Sequence, residues 1–283
     1  MLNNLIEIQN LATRIRIDVL NMTNSGSSSH IGSVFSIAEI LACLYSGLLN
    51  VNPQKPKDKN RDRFILSKGH AGAGVYSVLA QTGFFKKDVL SSHYQNGSKL
   101  SGHVSHKSIP GVELSTGSLG HGLPVGVGMA LASKIDRRKN KVVVLLSDGE
   151  CDEGSNWEAI LFAPHHKLDN LIVIVDNNKI QSLDYVKNTL NIEPFENKWE
   201  SFGWNVFSID GHNIDEIING YNKAVNSNNK SPTCIIANTI KGKGVSFMED
   251  KVLWHYRSPQ GDEYKMAKKE LINQLTESKN EKF

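Results

Sequence analysis

Cysteine is scarce in the 283-residue sequence: Cys43, Cys151 and Cys234 are three in number and show no CxxC spacing. An odd, scattered set excludes a disulfide framework and points to a reducing compartment, the cytoplasm being the simplest expectation. Long apolar runs are also missing. Runs such as Val142 to Leu146 and Leu171 to Val175 fall far short of the ~20 residues of a membrane-spanning helix. No charge of one sign dominates, since 32 Lys and Arg face 29 Asp and Glu for a net +3, which argues against a dedicated nucleic-acid binder. The N-terminal stretch carries Glu7, Arg14, Arg16 and Asp18 within a helical pattern and no small-residue cleavage site, so it reads as structure and not as a secretory signal. What remains is 39% hydrophobic and 22% charged, a globular composition that excludes disorder and fibrous repeats.

Apolar spacing supplies the elements. Leu5, Ile8, Leu11, Ile15 and Val19 recur with helical period, and a second helix is expected over Phe35 to Leu49. The small-residue stretch Ser25 to Gly32 between them reads as a loop carrying His30. After Phe64-Ile65-Leu66 comes Ser67-Lys68-Gly69-His70-Ala71-Gly72-Ala73-Gly74. Its glycines miss the GxGxxG order, so a dinucleotide fingerprint fails. A second glycine-rich turn, Ser115 to Gly122, opens a helix of small residues reaching Ala132.

Val142 to Leu146, an acidic turn, a helix over about Ser155 to His166, and Leu171 to Val175 form a βαβ unit of the kind found in a buried parallel sheet. Strands at Trp204 to Ile209 and Cys234 to Ala237 and helices at Ile214 to Val225 and Tyr264 to Leu275 continue the alternation. There is no internal repeat or long linker. The expectation is one α/β domain over residues 1–283, a parallel sheet flanked by helices.

Ligands of open α/β sheets sit outside the carboxyl ends of the strands. The first strand of the βαβ unit ends in Ser147-Asp148-Gly149-Glu150, the second in Asp176-Asn177-Asn178-Lys179-Ile180. A carboxylate from one turn and an amide from the other are hard oxygen ligands suited to Mg²⁺, with Ca²⁺ a possible substitute, and such a site is completed by a ligand phosphate. Without a Cys/His cluster at zinc spacing, Asp148 and Asn178 point to a magnesium-bridged diphosphate.

Asp148-Gly149 followed after a helix by Asp176-Asn177-Asn178 resembles the thiamine-diphosphate motif, and Glu150 to Ala159 is similar to the transketolase family in particular. Further stretches fall in that family's order: Ser29-His30-Ile31-Gly32, Arg61 to Phe64, Ser67 to His70, Gly102-His103, Ser115 to Gly120 and Trp254-His255. The resemblance implies the family's thiamine-diphosphate-binding fold and its activity, transfer of a two-carbon ketol unit from a ketose or its phosphate to an aldose or its phosphate, of which the pentose phosphates are the default. It implies Asp148 and Asn178 as magnesium ligands through side chains and Ile180 through its carbonyl. Gly149 would give its N–H to the diphosphate, with His70 and His255 near the diphosphate and reaction centre. His30 and His103 would touch the donor sugar, with His255 completing the catalytic set. Gly117 and Leu119 would lie along the cofactor rings, and Glu153, counted among the cofactor-binding residues, would stand at a subunit interface.

Two departures are small: Ser147 stands for the first glycine of the motif, and Ile31 for the proline common after the first histidine. His121 replaces a frequent glutamine. The large departure is length. Full transketolases add a second α/β domain, which supplies the glutamate for the aminopyrimidine ring, and a third domain. The resemblance therefore implies the N-terminal subunit of a split transketolase, inactive alone, with a C-terminal-half partner in an α2β2 assembly.

Two other readings compete. The α-subunit of a 2-oxo-acid dehydrogenase or decarboxylase shares the diphosphate motif, but the histidine set, suited to polyhydroxylated donors, tells against it. A non-catalytic scaffold paralogue is opposed by intact Asp148, Asn178 and His70. His93, His106, His165, His166 and His212 read as ordinary surface or core histidines, Asn177 as structural, and Cys151 as an inert thiol. Lys241-Gly242-Lys243-Gly244 lacks the P-loop order and reads equally well as a phosphate contact or a solvated turn.

Overall fold

A computed structural model describes residues 4–227 and 229–276, so the ends of the expected 1–283 domain lie outside the described residues. Five strands, β1 (Arg63–Leu66), β2 (Val142–Ser147), β3 (Leu171–Asn177), β4 (Asn205–Asp210) and β5 (Thr233–Asn238), form one all-parallel sheet in the order β1-β2-β3-β5-β4. The expected strands are all present. Phe64 to Leu66 proves to be an edge strand that the sequence did not mark as one.

Alternation along each strand builds two cores, because successive side chains point to opposite faces. Phe64, Leu66, Val143, Leu145, Ile172, Ile174 and Ile235 enter one. Ile65, Val142, Val144, Leu146, Val173, Val175 and Ile236 enter the other. Both faces are covered, which is why β2 and β3 read as unbroken apolar runs.

The first core is closed by α1 (Leu5–Gly26), α2 (Ile31–Phe35), α3 (Ala38–Cys43), α4 (Gly72–Gln81), α9 (Ile214–Val225) and α10 (Gly261–Asn273). The second is closed by α5 (Gly122–Ile135), α6 (Gly154–His165) and α8 (Phe195–Ser201), with the one-turn α7 (Val186–Thr189) at its margin. Among the described residues no helix is long and apolar enough to cross a membrane.

The expected helix over Phe35 to Leu49 is corrected. It begins earlier and breaks into α2, α3 and a π-helical turn, Leu44–Leu48. Ile37 leaves helical geometry at φ −109°, ψ 9°, and the Ser36 hydroxyl bonds to the Ser33 carbonyl and to Asp176. Gly47 at φ 131° then ends the run. The loop before it shrinks to Ser27–His30, and His30 itself sits in the left-handed region at φ 71° as the residue preceding α2.

Candidate active site

The parallel register places Ser147 beside Asp176, so the turns after β2 and β3 emerge together at the carboxyl edge of the sheet. There they wall a cavity of about 240 Å³ lined by His30, His70, His103, His255, Asp148 and Asn178, among others. Gly117, Leu119, Gly149 and Ile180 also line it. Glu153 does not. It is exposed at the start of α6, its side chain against Gly120.

Glycine explains how backbone segments close around the cavity. A Cβ on Gly69 would lie 2.2 Å from the Thr116 carbonyl oxygen, and one on Gly72 would lie 2.5 Å from the Val104 nitrogen. The turn carrying His70 is therefore pressed against the loop carrying His103 and Gly117. A Cβ on Gly117 would meet the His103 ring at 3.1 Å.

The four histidines form one cluster. The His30 ring centroid lies 5.0 Å from His70, 5.5 Å from His103 and 4.9 Å from His255, and His70 lies 5.6 Å from His255. All four are neutral at ordinary pH. Burial, then His103 and two lysines, holds His30 down at about 4, and burial, then Lys241, holds His255 at about 2. His70 is pushed well below the usual range by burial and then Lys68, and His103 is lowered by burial. The Nδ1 atom of His30 is buried without a hydrogen-bond partner among the described residues. The other histidines stay outside: His93 packs near Gly26 and the Tyr94 ring, His106 bonds Ser115, His165 and His166 end α6, and His212 pairs with Glu39.

On the opposite wall the Asp148 carboxylate accepts the N–H groups of Gly149, at 2.7 Å, and Lys179. Burial, then the neighbouring Asp176, pushes its pKa up to about 7. The Asn178 amide donates to Asp176 at 2.8 Å and accepts the Ile180 N–H at 3.1 Å. Asn177 bonds Asn238 across the sheet, as a structural residue would. No cluster of three His, Cys, Asp or Glu suited to a metal occurs among the described residues; one carboxylate, one amide and one carbonyl are what this wall offers. Cys151 is 1% exposed, its thiol pushed well above the usual range by burial and then by Glu150.

Besides Ser147, six further residues line the cavity, Ser33, Lys68, Gln181, Ser182, Lys241 and Tyr256, and of these the sequence offered only Lys241, as one of two readings. Lys241, whose solvated-turn reading is corrected here, is 1% exposed, and its ammonium donates to the carbonyls of Ile180 (2.9 Å) and Gln181 (3.0 Å). It also lies 2.7 Å from His255 Nδ1, so while protonated it makes Nδ1 the acceptor and leaves the proton on Nε2. Burial, then Lys68, lowers its pKa to about 7. Lys68 is fully buried beside Asp176. Tyr256 stands 59% exposed at the mouth, its ring 4.8 Å from His255. Lys68 and Lys241 each precede a glycine in stretches the sequence marks as turns; no signal announced Tyr256. Glu150, behind the cavity, accepts the Ser67 hydroxyl and the Gly120 and Ser147 N–H groups, tying the Gly117–Leu119 loop to β1 and β2.

A family model described as the transketolase, thiamine diphosphate binding domain, matches residues 8–278. The chain is 46% identical over 261 residues to an apulose-4-phosphate transketolase subunit of Actinobacillus succinogenes, covering 92% of this chain and 93% of that one. It is 41% identical over 266 residues to the 6-deoxy-6-sulfo-D-fructose transketolase subunit SqwG of a Clostridium species, covering 94% and 96%. A solved transketolase from Campylobacter jejuni superposes with a TM-score of 0.89 at 34% identity, over 95% of this chain and 43% of that one. The chain thus spans nearly all of these separate subunits and less than half of the solved transketolase.

Proposed function

The chain belongs to the transketolase family, as its N-terminal, thiamine-diphosphate-binding part, and from that premise we propose that it is the cofactor-binding subunit of a split transketolase. The reaction would move a two-carbon ketol unit from a ketose phosphate to an aldose phosphate, with a C-terminal-half subunit completing the site in an α2β2 assembly. The observation that carries this reading is the cavity itself: four neutral histidines face a wall offering a carboxylate, an amide and a carbonyl. The full-length match to two proteins named as transketolase subunits supports the need for a partner.

The residues present fit Mg²⁺ and a diphosphate. A buried Asp148 carboxylate whose pKa is raised to about 7 gains most from a cation, and hard oxygen donors suit Mg²⁺. Asp148, Asn178 and the Ile180 carbonyl would hold it, the last once the Lys241 ammonium that it now accepts at 2.9 Å turns to the diphosphate; His70 and Gly149 would face the diphosphate as well, and Gly117 and Leu119 the rings. When bound, thiamine diphosphate supplies the nucleophile and the electron sink for breaking and forming the carbon–carbon bond.

This chain's own residues handle the sugar and its protons. A neutral imidazole donates at one nitrogen and accepts at the other. His30 has an unclaimed Nδ1 for a sugar oxygen, His103 reaches the open side, and His255 presents an N–H held in place by Lys241. Three free, buried cysteines suit a reducing cytoplasm.

Ketol transfer from xylulose 5-phosphate to ribose 5-phosphate, with thiamine diphosphate and Mg²⁺, tests the proposal. Activity is expected only when this chain is mixed with its C-terminal-half partner. Because relatives are named for apulose 4-phosphate and a sulfofructose, those donors belong in the same panel. Consumption of pyruvate with every ketose ignored would overturn the assignment.

A further inference from the structure

Asp176 is the next-to-last residue of β3, two residues before Asn178, and is fully buried. Its Oδ2 receives the Lys68 ammonium, the Ser36 hydroxyl at 2.7 Å and the Asn178 amide at 2.8 Å, and its Oδ1 receives the Thr239 hydroxyl. Four donors thus converge on one carboxylate, three on Oδ2 and one on Oδ1.

This arrangement decides which end of Asn178 faces which way. An ionised carboxylate only accepts, so the NH₂ end must face Asp176. The Ile180 N–H only donates, so the Oδ1 end must face Ile180. The orientation of the amide follows from its neighbours and is not an arbitrary choice of two similar atoms.

Charge gives the second half of the argument. Asp148, on the cavity wall, and Asp176, behind it, are both buried and close enough for their charges to interact. A bare Asp176 would be a second carboxylate competing for any cation there. Lys68, itself fully buried, cancels that charge and gives another proton to the Ser33 carbonyl at 2.9 Å. One lysine thus ties the end of β1 and α2 to the end of β3.

We propose that the buried Lys68–Asp176 pair is the positioning device of the cation site, keeping Asp176 out of the coordination sphere and using it to present the Asn178 carbonyl oxygen as a neutral ligand beside Asp148. The inference rests on reading Asp148, Asn178 and Ile180 as the cation ligands. Neither Lys68 nor Asp176 need touch cation or substrate for it to hold.

The test is Mg²⁺ titration of thiamine-diphosphate binding, followed calorimetrically on the chain assembled with its partner. Wild type is compared with Lys68→Met, Asp176→Asn and the double variant, which leaves no lone buried charge and so keeps the test alive where a single variant fails to fold. The double variant is expected to need roughly 10–100-fold more Mg²⁺, the usual effect of losing a group behind a metal ligand, with ligand-free melting close to wild type. Lys68→Met alone, with Asp176 released, is expected to favour Ca²⁺ over Mg²⁺ relative to wild type, because an added carboxylate suits the larger ion. A folded double variant with a Mg²⁺ midpoint within about twofold of wild type, or loss of binding that only tracks lost melting temperature, overturns the proposal. Cofactor binding by wild type without any divalent cation would instead sink the reading of the cation site on which it stands.

Discussion

Glu39 on α3 shows how a single buried charge is made tolerable. Arg16 from α1 grips its carboxylate through two nitrogens at 2.7 Å, and His212 donates to it at 3.0 Å while accepting the Ile240 N–H at 2.8 Å. Burial alone would raise the Glu39 pKa, but Arg16 and His212 override it and hold the group at about 2, against an ordinary 4.5. The unfolded chain therefore takes up its proton near 4.5 and the folded chain only near 2. Stability from this group is complete above pH 4.5 and is lost as pH falls toward 2. By the usual conversion the effect is ~3 kcal/mol. Glu39→Gln should lower urea-unfolding stability at pH 7 by about that much or more, since Arg16 is left buried without a counter-charge, its remaining bond being to the Phe35 carbonyl. The gap between variant and wild type should narrow between pH 4.5 and 2, where the wild-type contribution disappears; a gap constant with pH would refute the account.

At the scale of elements, much of the site is decided by how closely two glycine-rich turns approach. The 69–72 turn packs on backbone of the 103–116 segment, and a Cβ on Gly122 would lie 2.3 Å from the Ser67 hydroxyl. Gly69→Ala would drive a methyl into a backbone carbonyl, a clash no rotamer relieves, so destabilisation above about 3 kcal/mol is expected, beyond the common range for single substitutions. Thermal melting checks it, and unchanged melting would mean that the contact is looser than described. Helix α9 offers a milder case. The Asn213 side chain accepts the N–H groups of Asp215 (3.0 Å) and Glu216 (3.2 Å), so Asn213→Ala should cost about 1 kcal/mol in chemical unfolding.

The whole molecule is a sheet buried on both faces, with its chemistry gathered at one edge and open on one side. Tyr256 lines that mouth at 59% exposure, and Leu183 (81%) follows the lining residue Ser182. Leu161 (61%) and Phe162 (41%) lie outward on α6, the helix that starts next to Glu153. Such exposed apolar groups suit a protein–protein contact. Light scattering of the mixture with the C-terminal-half partner should give the mass of two copies of each chain, and Glu153→Lys should shift that assembly toward smaller species. A stable one-to-one complex would refute the symmetric arrangement.

The βαβ unit was legible because β2 and β3 are continuous Val, Ile and Leu runs, a pattern that a doubly covered strand imposes on its own residues. Asp148, Asn178 and the four site histidines were legible because each sits in a short stretch whose order carries the family resemblance. Lys68, Asp176, Lys241 and Tyr256 were not, since their meaning depends on what lies opposite them. Lys68 meets Asp176 across 108 positions and Ser36 meets it across 140. The break after Phe35 was hidden for the same reason, because the hydroxyl that helps make it turns to a strand end far along the chain. Local pattern thus determined the strands, most of the helices and the turns that line the cavity. Only the tertiary fold decided which charges are buried together, and so which lysine is surface and which is part of the site.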